Sequence, residues 1–296
     1  MTLESIANAN LIGGAGNNTF NVGDWTGTGK LTGGGGNSDV VVATRNADFT
    51  LSNSQLSISA GGTLALSGLR IANLTGGSSN NVFNVSGWKG TGAIIGMGGS
   101  ADRIVATRDS DMTLTDGSLE ALGFGTLTLN TIETASLTGG ASDDVIRATA
   151  FTKGPVTLVG GAGDDLLLGG SKDDSLVGGS GNDVLIGGDG RDSLDGGDDR
   201  DLLIGGAGAD SLFGGAGDDI LIGGTISLSN NDYALRVENL LNGGGANDET
   251  KLNNTTVLND ANAIDSWTGG TDSDWFFQSA NDVLLDAIIG EVITTI

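Results

Sequence analysis

Polar and apolar positions alternate along this chain in short runs rather than in long amphipathic periods. Up to residue 225, apolar residues come in short runs or alternate with Thr, Ser and Asn, as in Asp39–Thr44 and Thr63–Leu66, and Gly/Asn/Ser/Asp clusters interrupt them. Period-two alternation bounded by turn residues predicts short strands joined by tight turns. One stretch departs from this. In Asn231–Leu241 the apolar residues Tyr233, Val237, Leu240 and Leu241 follow Asn and Asp and precede Gly243, which predicts a single short amphipathic helix.

The strand-and-turn pattern repeats at two periods. Residues 13–75 align without a gap on 76–138, with 30 of 63 positions identical, among them Asn17/Asn80, Phe20/Phe83, Trp25/Trp88, Asp39/Asp102 and Arg45/Arg108. A third, partial copy starts at Gly139. Leu3, Ile6, Ala9 and Leu11 match Leu129, Ile132, Ala135 and Leu137, so the first residues read as the tail of a repeat already under way, which suits either a C-terminal piece of a longer protein or a very compact product of repeat duplication.

Between 160 and 222 the period shortens to nine, and seven units follow without insertion: GGAGDDLLL, GGSKDDSLV, GGSGNDVLI, GGDGRDSLD, GGDDRDLLI, GGAGADSLF and GGAGDDILI. Position 1 is Gly160, Gly169, Gly178, Gly187, Gly196, Gly205 and Gly214. Position 6 is Asp165, Asp174, Asp183, Asp192, Asp201, Asp210 and Asp219, and position 8 is Leu in every unit. Invariant spacing of this kind argues against a disordered acidic linker, which needs no period.

The residue types at these positions point to a hard divalent cation. Glycines at positions 1, 2 and 4 permit positive φ and let carbonyls converge, and the position-6 carboxylate adds an anionic oxygen. Calcium takes six to eight carboxylate and carbonyl oxygens. Zinc and copper favour imidazole or thiolate, and the chain has no His and no Cys. A nonad makes half a coil, so each turn stacks on the next but one. One edge would carry Asp165, Asp183, Asp201 and Asp219, and the other Asp174, Asp192 and Asp210. Ions held between successive turns number three on the first edge and two on the second. Five Ca2+ ions would nearly cancel the segment's 14 Asp less three basic residues, a net charge of −11. Lys172 and Asp199 replace the position-4 glycine, which leaves the turn geometry beside Asp174 and Asp201 open.

Composition narrows the function further. A formal charge of −24 repels nucleic acid and anionic membranes, which leaves cations as the natural partners. Without His there is no Ser-His-Asp triad and no His-based zinc site within these residues. No run of 18 apolar residues is present to cross a membrane as a helix. Other residues read as structural. Asn18 and Asn81 stand where the nonad has Asp and suit hydrogen bonds within their own turns, while Asp144 suits either a turn or an ion. Trp25 and Trp88 pack under a loop rather than stack sugars, and Arg45 and Arg108 pair with Asp48 and Asp111. Trp267, Trp275, Phe276 and Phe277 form the core of a terminal cap.

The nonads resemble the repeats-in-toxin (RTX), or haemolysin-type calcium-binding, family. The resemblance implies an all-β fold, a parallel β-roll or β-solenoid, in a protein exported by type I secretion and folding outside the cell on calcium. The expected organisation is degenerate solenoid repeats over 1–159, the calcium-binding roll over 160–224, and a cap with the export region over 225–296. The expected role is a structural calcium-binding module of a secreted or cell-surface protein, such as part of an adhesin or surface layer. Two alternatives stand beside it. One is an accessory module of a secreted polysaccharide-active lyase or epimerase, and the other is a self-assembling filament or surface-layer subunit.

Overall fold

The computed structural model describes residues 7–59, 61–226, 257–258, 266–271, 275–278, 283–284 and 292–295. Among them there are strands and turns and no helix, and the strands are mostly parallel. The helix expected at Asn231–Leu241 lies outside the described residues. Two compact units divide the chain, one made of Met1–Arg108 with Met112–Ser136 and the other of Asp109–Asp111 with Leu137–Ile296.

In the first unit, Asn8–Ile12 pairs in parallel with Thr28–Thr32, which pairs with Thr63–Ser67. A second sheet runs from Thr19–Asn21 through Val40–Thr44 and Ile71–Thr75 to Thr91–Ile95. Each 63-residue copy interrupts this winding with an antiparallel excursion. In the first copy the strands are Phe49–Ser52, Gln55–Ile58 and Thr63–Ser67, and in the second Met112–Thr115, Ser118–Ala121 and Leu127–Asn130. The copies occupy opposite sheets: Thr28–Thr32 lies in one, and its counterpart Thr91–Ile95 in the other. The repeat therefore advances by an odd number of half-coils.

Alternation along the strands sends one set of side chains inward, and Leu31, Val41, Leu74, Phe83 and Ile94 are fully buried. Phe49 stacks on Phe83 with centroids 5.4 Å apart. Trp88 is buried and its indole N–H donates to the Thr91 carbonyl at 3.2 Å, which fits the packing role expected of it.

The arginines differ from expectation. Arg45 donates to the carbonyl of Trp25 at 3.2 Å, and the buried Arg108 donates to the carbonyls of Val85 and Trp88 at 3.1 and 3.2 Å. The Arg108 guanidinium also lies 4.2 Å from the centre of the Phe124 ring. Turn carbonyls facing inward need donors, and a planar guanidinium satisfies two at once. Asp48 and Asp111 instead accept backbone N–H groups, from Val82 at 2.8 Å and Val145 at 3.0 Å.

In the second unit the nonads wind in strict register, each on the next but one. Leu167, Leu185, Leu203 and Leu221 stack in one sheet, and Leu176, Leu194 and Leu212 in the other. All seven are buried, as position 8 of a half-coil requires. The tail prolongs both sheets, with Trp267 in register with Leu212 and Phe276 in register with Leu221. These two aromatic rings are buried and stack 5.9 Å apart.

Candidate metal centre

The strands Ser175–Ser180, Val184–Asp189, Ser193–Asp198, Leu202–Ala207 and Ser211–Ala216 each run through the two glycines to position 3, and the chain then turns to reach the position-6 aspartate. That aspartate is buried in all seven nonads. One carboxylate oxygen ties neighbouring coils together. Oδ1 of Asp183 accepts the N–H of Asp165, Oδ1 of Asp201 that of Asp183, and Oδ1 of Asp219 that of Asp201, each at 2.8 Å. On the opposite edge, Oδ1 of Asp192 accepts from Asp174 and Oδ1 of Asp210 from Asp192, also at 2.8 Å. The two aspartate edges read from the nine-residue period are thus two hydrogen-bonded ladders.

In four of the seven the second oxygen has no such partner. Oδ2 of Asp165, Asp183, Asp192 and Asp201 is buried and accepts no hydrogen bond. A buried carboxylate half-satisfied in this way is costly. Burial, followed by the charge of neighbouring aspartates, pushes Asp165 up to about 6, Asp183 and Asp192 up to about 7, and Asp201 up to about 9; the ladder hydrogen bond pulls the other way.

What lies beside Oδ2 is a carbonyl. A methyl group placed on Gly160, Gly178, Gly187, Gly196 or Gly205 would strike Oδ2 of the same nonad's aspartate. It would also lie 2.5–2.8 Å from the carbonyl oxygen one coil on, that of Gly178, Gly196, Gly205, Gly214 or Gly223. Position 1 is therefore glycine for want of space, and it does not adopt the positive φ expected there. Positions 2 and 4 do adopt it, for example Gly179 at +130° and Gly181 at +117°.

Among the described residues no three His, Cys, Asp or Glu side chains converge on one point. The oxygens on offer are the position-6 carboxylate and several carbonyls per turn, joined in some nonads by a further aspartate such as Asp164 or Asp173. That donor set fits calcium, whose irregular shell accepts carbonyls, better than magnesium, whose small octahedron does not.

The turns fall into two classes. In Gly178–Asp183, and likewise in the turns ending at Asp165, Asp192 and Asp201, position 2 has positive φ and Oδ2 is left without a hydrogen bond. In Gly169–Asp174, Gly170 is not in the positive-φ region and its N–H donates to Asp174 Oδ2 at 2.6 Å. Lys172, lacking the freedom of a position-4 glycine, accompanies this closed form, whereas Asp199 tolerates φ +74° and keeps its turn open. The closed class also contains Asn18, Asn81 and Asp144, which accept the N–H of Gly14, Gly77 and Gly140 at 3.1, 2.7 and 2.9 Å.

A family model for the RTX calcium-binding nonapeptide repeat matches the chain four times, at residues 153–171, 159–194, 168–203 and 195–225. Residues 153–225 are RTX calcium-binding repeats. The RTX array is a calcium-binding structural element rather than a catalytic one. A search of curated proteins found no match to the chain.

The seven aspartates and seven position-1 glycines picked out by period are brought together as two edges of the RTX array, with Gly214 contributing the carbonyl that faces Gly196. Sequence reasoning missed Asp39 and Asp102, both buried with an Oδ2 that accepts no hydrogen bond. Their signal was the likeness of GGGGNSD and GMGGSAD across the two copies, hidden because the turn is one residue longer than in the nonad.

Proposed function

We propose that this chain is a structural module of a secreted or cell-surface bacterial protein whose RTX array stays unfolded at low calcium and folds on binding it outside the cell. The observation that carries this reading is the pair of aspartate edges with buried, unsatisfied Oδ2 atoms. Four carboxylates in this state, at Asp165, Asp183, Asp192 and Asp201, weigh against the metal-free roll. A calcium ion set between coils would be held by Oδ2 of position 6 and the position-1 carbonyls. On the shared-ion arrangement Asp183, Asp192 and Asp201 each serve two ions.

When bound, calcium supplies the positive charge that these oxygens lack. The chain's own residues do the rest: leucines close the interior, Oδ1 atoms tie coil to coil, and glycines bring carbonyls within reach. Residues 1–159 then act as a solenoid that precedes the roll, and 225–296 as its cap and export region. The stacking of buried Trp267 on Phe276, in register with the array, supports the cap.

Far-UV circular dichroism of the full chain under a calcium titration tests the reading. β-structure should rise cooperatively with calcium and fail to rise with magnesium. An unchanged spectrum in chelator would overturn it.

A further inference from the structure

We infer that the turn Gly96–Asp102 in the second 63-residue copy, outside the RTX array, is a separate calcium site completed by Glu133. Three observations on this turn coincide.

First, Asp102 is 1% exposed, and its Oδ2 is buried without a hydrogen bond. Its Oδ1 accepts the N–H of Asn81 at 2.6 Å, the same role that position-6 aspartates have in the array.

Second, a methyl group on Gly96 would strike both Asp102 Oδ2 and the carbonyl oxygen of Thr131. A carboxylate oxygen and a carbonyl oxygen therefore face one another beside a glycine, as in the array. The turn belongs to the open class: its second residue, Met97, has φ +79°, and its N–H goes to Thr131 Oγ1 at 2.7 Å rather than to the carboxylate.

Third, the N–H of Asp102 donates to Glu133 Oε2 at 2.9 Å. In the array, the acceptor of that N–H is the aspartate of the next coil. Glu133 takes that place, so Asp102 and Glu133 form a stacked carboxylate pair like Asp165 and Asp183. Two ionised carboxylates with a converging carbonyl repel one another, a cation between them relieves that repulsion, and all three are oxygen ligands of the type calcium accepts.

The first copy is a built-in control. Asp39 is buried, with Oδ2 free of hydrogen bonds, and Gly33 faces it and the Gly68 carbonyl in the same way. However, Arg70 stands where the second copy has Glu133. In addition, the Asn18 amide donates to Asp39 Oδ1 at 2.9 Å and to the Gly33 carbonyl at 3.0 Å. An arginine at the aligned position offers no second carboxylate and brings a positive charge instead. The site is therefore assigned to Asp102 and not to Asp39.

The test uses the full chain, with bound calcium counted after equilibrium dialysis and hydrogen exchange read by mass spectrometry on peptides covering 96–105 and 129–134. Calcium should slow exchange in both peptides. Asp102→Asn and Glu133→Gln should each lower the count by one ion and abolish that slowing, while protection over 160–222 still responds to calcium. Arg70→Glu should raise the count by one and make the peptide over 33–42 respond. If Glu133→Gln and Asp102→Asn leave the count unchanged, or the two peptides exchange alike with and without calcium, Asp102 is a protonated buried acid and the site is overturned. A failure of the array itself would be read separately, over 160–222. If Arg70→Glu adds no ion, Glu133 is not what distinguishes the copies.

Discussion

Two neighbouring turns of one array, Gly169–Asp174 and Gly178–Asp183, share spacing, burial and ladder, yet use their carboxylates differently. In the first, Asp174 Oδ2 closes on the N–H of Gly170; in the second, Asp183 Oδ2 faces a carbonyl and accepts nothing. The difference lies in the backbone, where Gly179 and Gly181 adopt positive φ and Gly170 and Lys172 do not. A closed turn completes its hydrogen bonds from within the chain, whereas an open one leaves an oxygen for a cation. The 63-residue copies carry the closed form at Asn18 and Asn81. There the first amide goes further, since Asn18 Nδ2 lies against the carbonyls of Gly16 and Gly33 at 2.5 and 3.0 Å and against Asp39 Oδ1 at 2.9 Å. A neutral N–H donor among carbonyls does there what an ion would do in an open turn.

The largest effect expected from this contrast is regional. In chelator, amides of 175–222 should exchange at least about 100-fold faster than with calcium, while those of 8–75 keep their protection. Equal loss in both regions, read by hydrogen exchange on the full chain, would show that the closed turns need calcium too.

Next comes pH. Asp165, Asp183, Asp192 and Asp201 have pKa values raised above the usual 3.8 in the folded, metal-free state, to between about 6 and about 9. The folded state then holds more protons than the unfolded one, so metal-free stability falls as pH rises between about 4 and 9. In chelator, β-structure should be greater at pH 4.5 than at pH 8, and calcium uptake near neutrality should release protons. Circular dichroism that stays flat over that range would count against the buried, half-satisfied carboxylates.

Lys172→Gly addresses the contrast directly. It should open the second nonad and lower the calcium midpoint by roughly 2–10-fold, since a gain of about 0.4–1.4 kcal/mol is what one relieved turn and one added ligand would give. A midpoint that rises or stays put would mean that residue 172 does not decide the turn's class. The smallest difference lies between Asp192→Ala and Asp219→Ala. Each removes a ladder acceptor worth about 1–3 kcal/mol, but Asp192 also stands between two coils' ions, so its midpoint should shift further. Equal shifts in parallel titrations would refute ion sharing.

Much of this was legible in the sequence because a nine-residue period leaves little freedom. Leucine at position 8 must point inward if the half-coil is to close, and aspartates two nonads apart must then share an edge. The glycine roles were only partly legible. Positive φ leaves the same mark in a sequence as lack of space, so Gly178 and Gly179 look alike although both are confined and only Gly179 is left-handed. Asp39 and Asp102 escaped because a seven-residue turn shifts the carboxylate out of the nonad frame. The arginines misled for another reason. Asp48 and Asp111 lie close to them in sequence, but parallel winding brings in N–H groups from distant stretches of the chain, those of Val82 and Val145, and these compete for the carboxylates.

The half-coil also gives the array a parity. Along a screw thread, a whole pitch returns the thread to the same side and half a pitch brings it out opposite. Deleting two nonads from the RTX array would leave the tail in phase, with Trp267 still following the Leu176–Leu194–Leu212 column. Deleting one would rotate everything downstream by half a turn, so that Trp267 followed the column of Leu203 and Leu221 instead. Arrays of this kind can lengthen or shorten freely only in even steps; an odd step re-addresses whatever they carry.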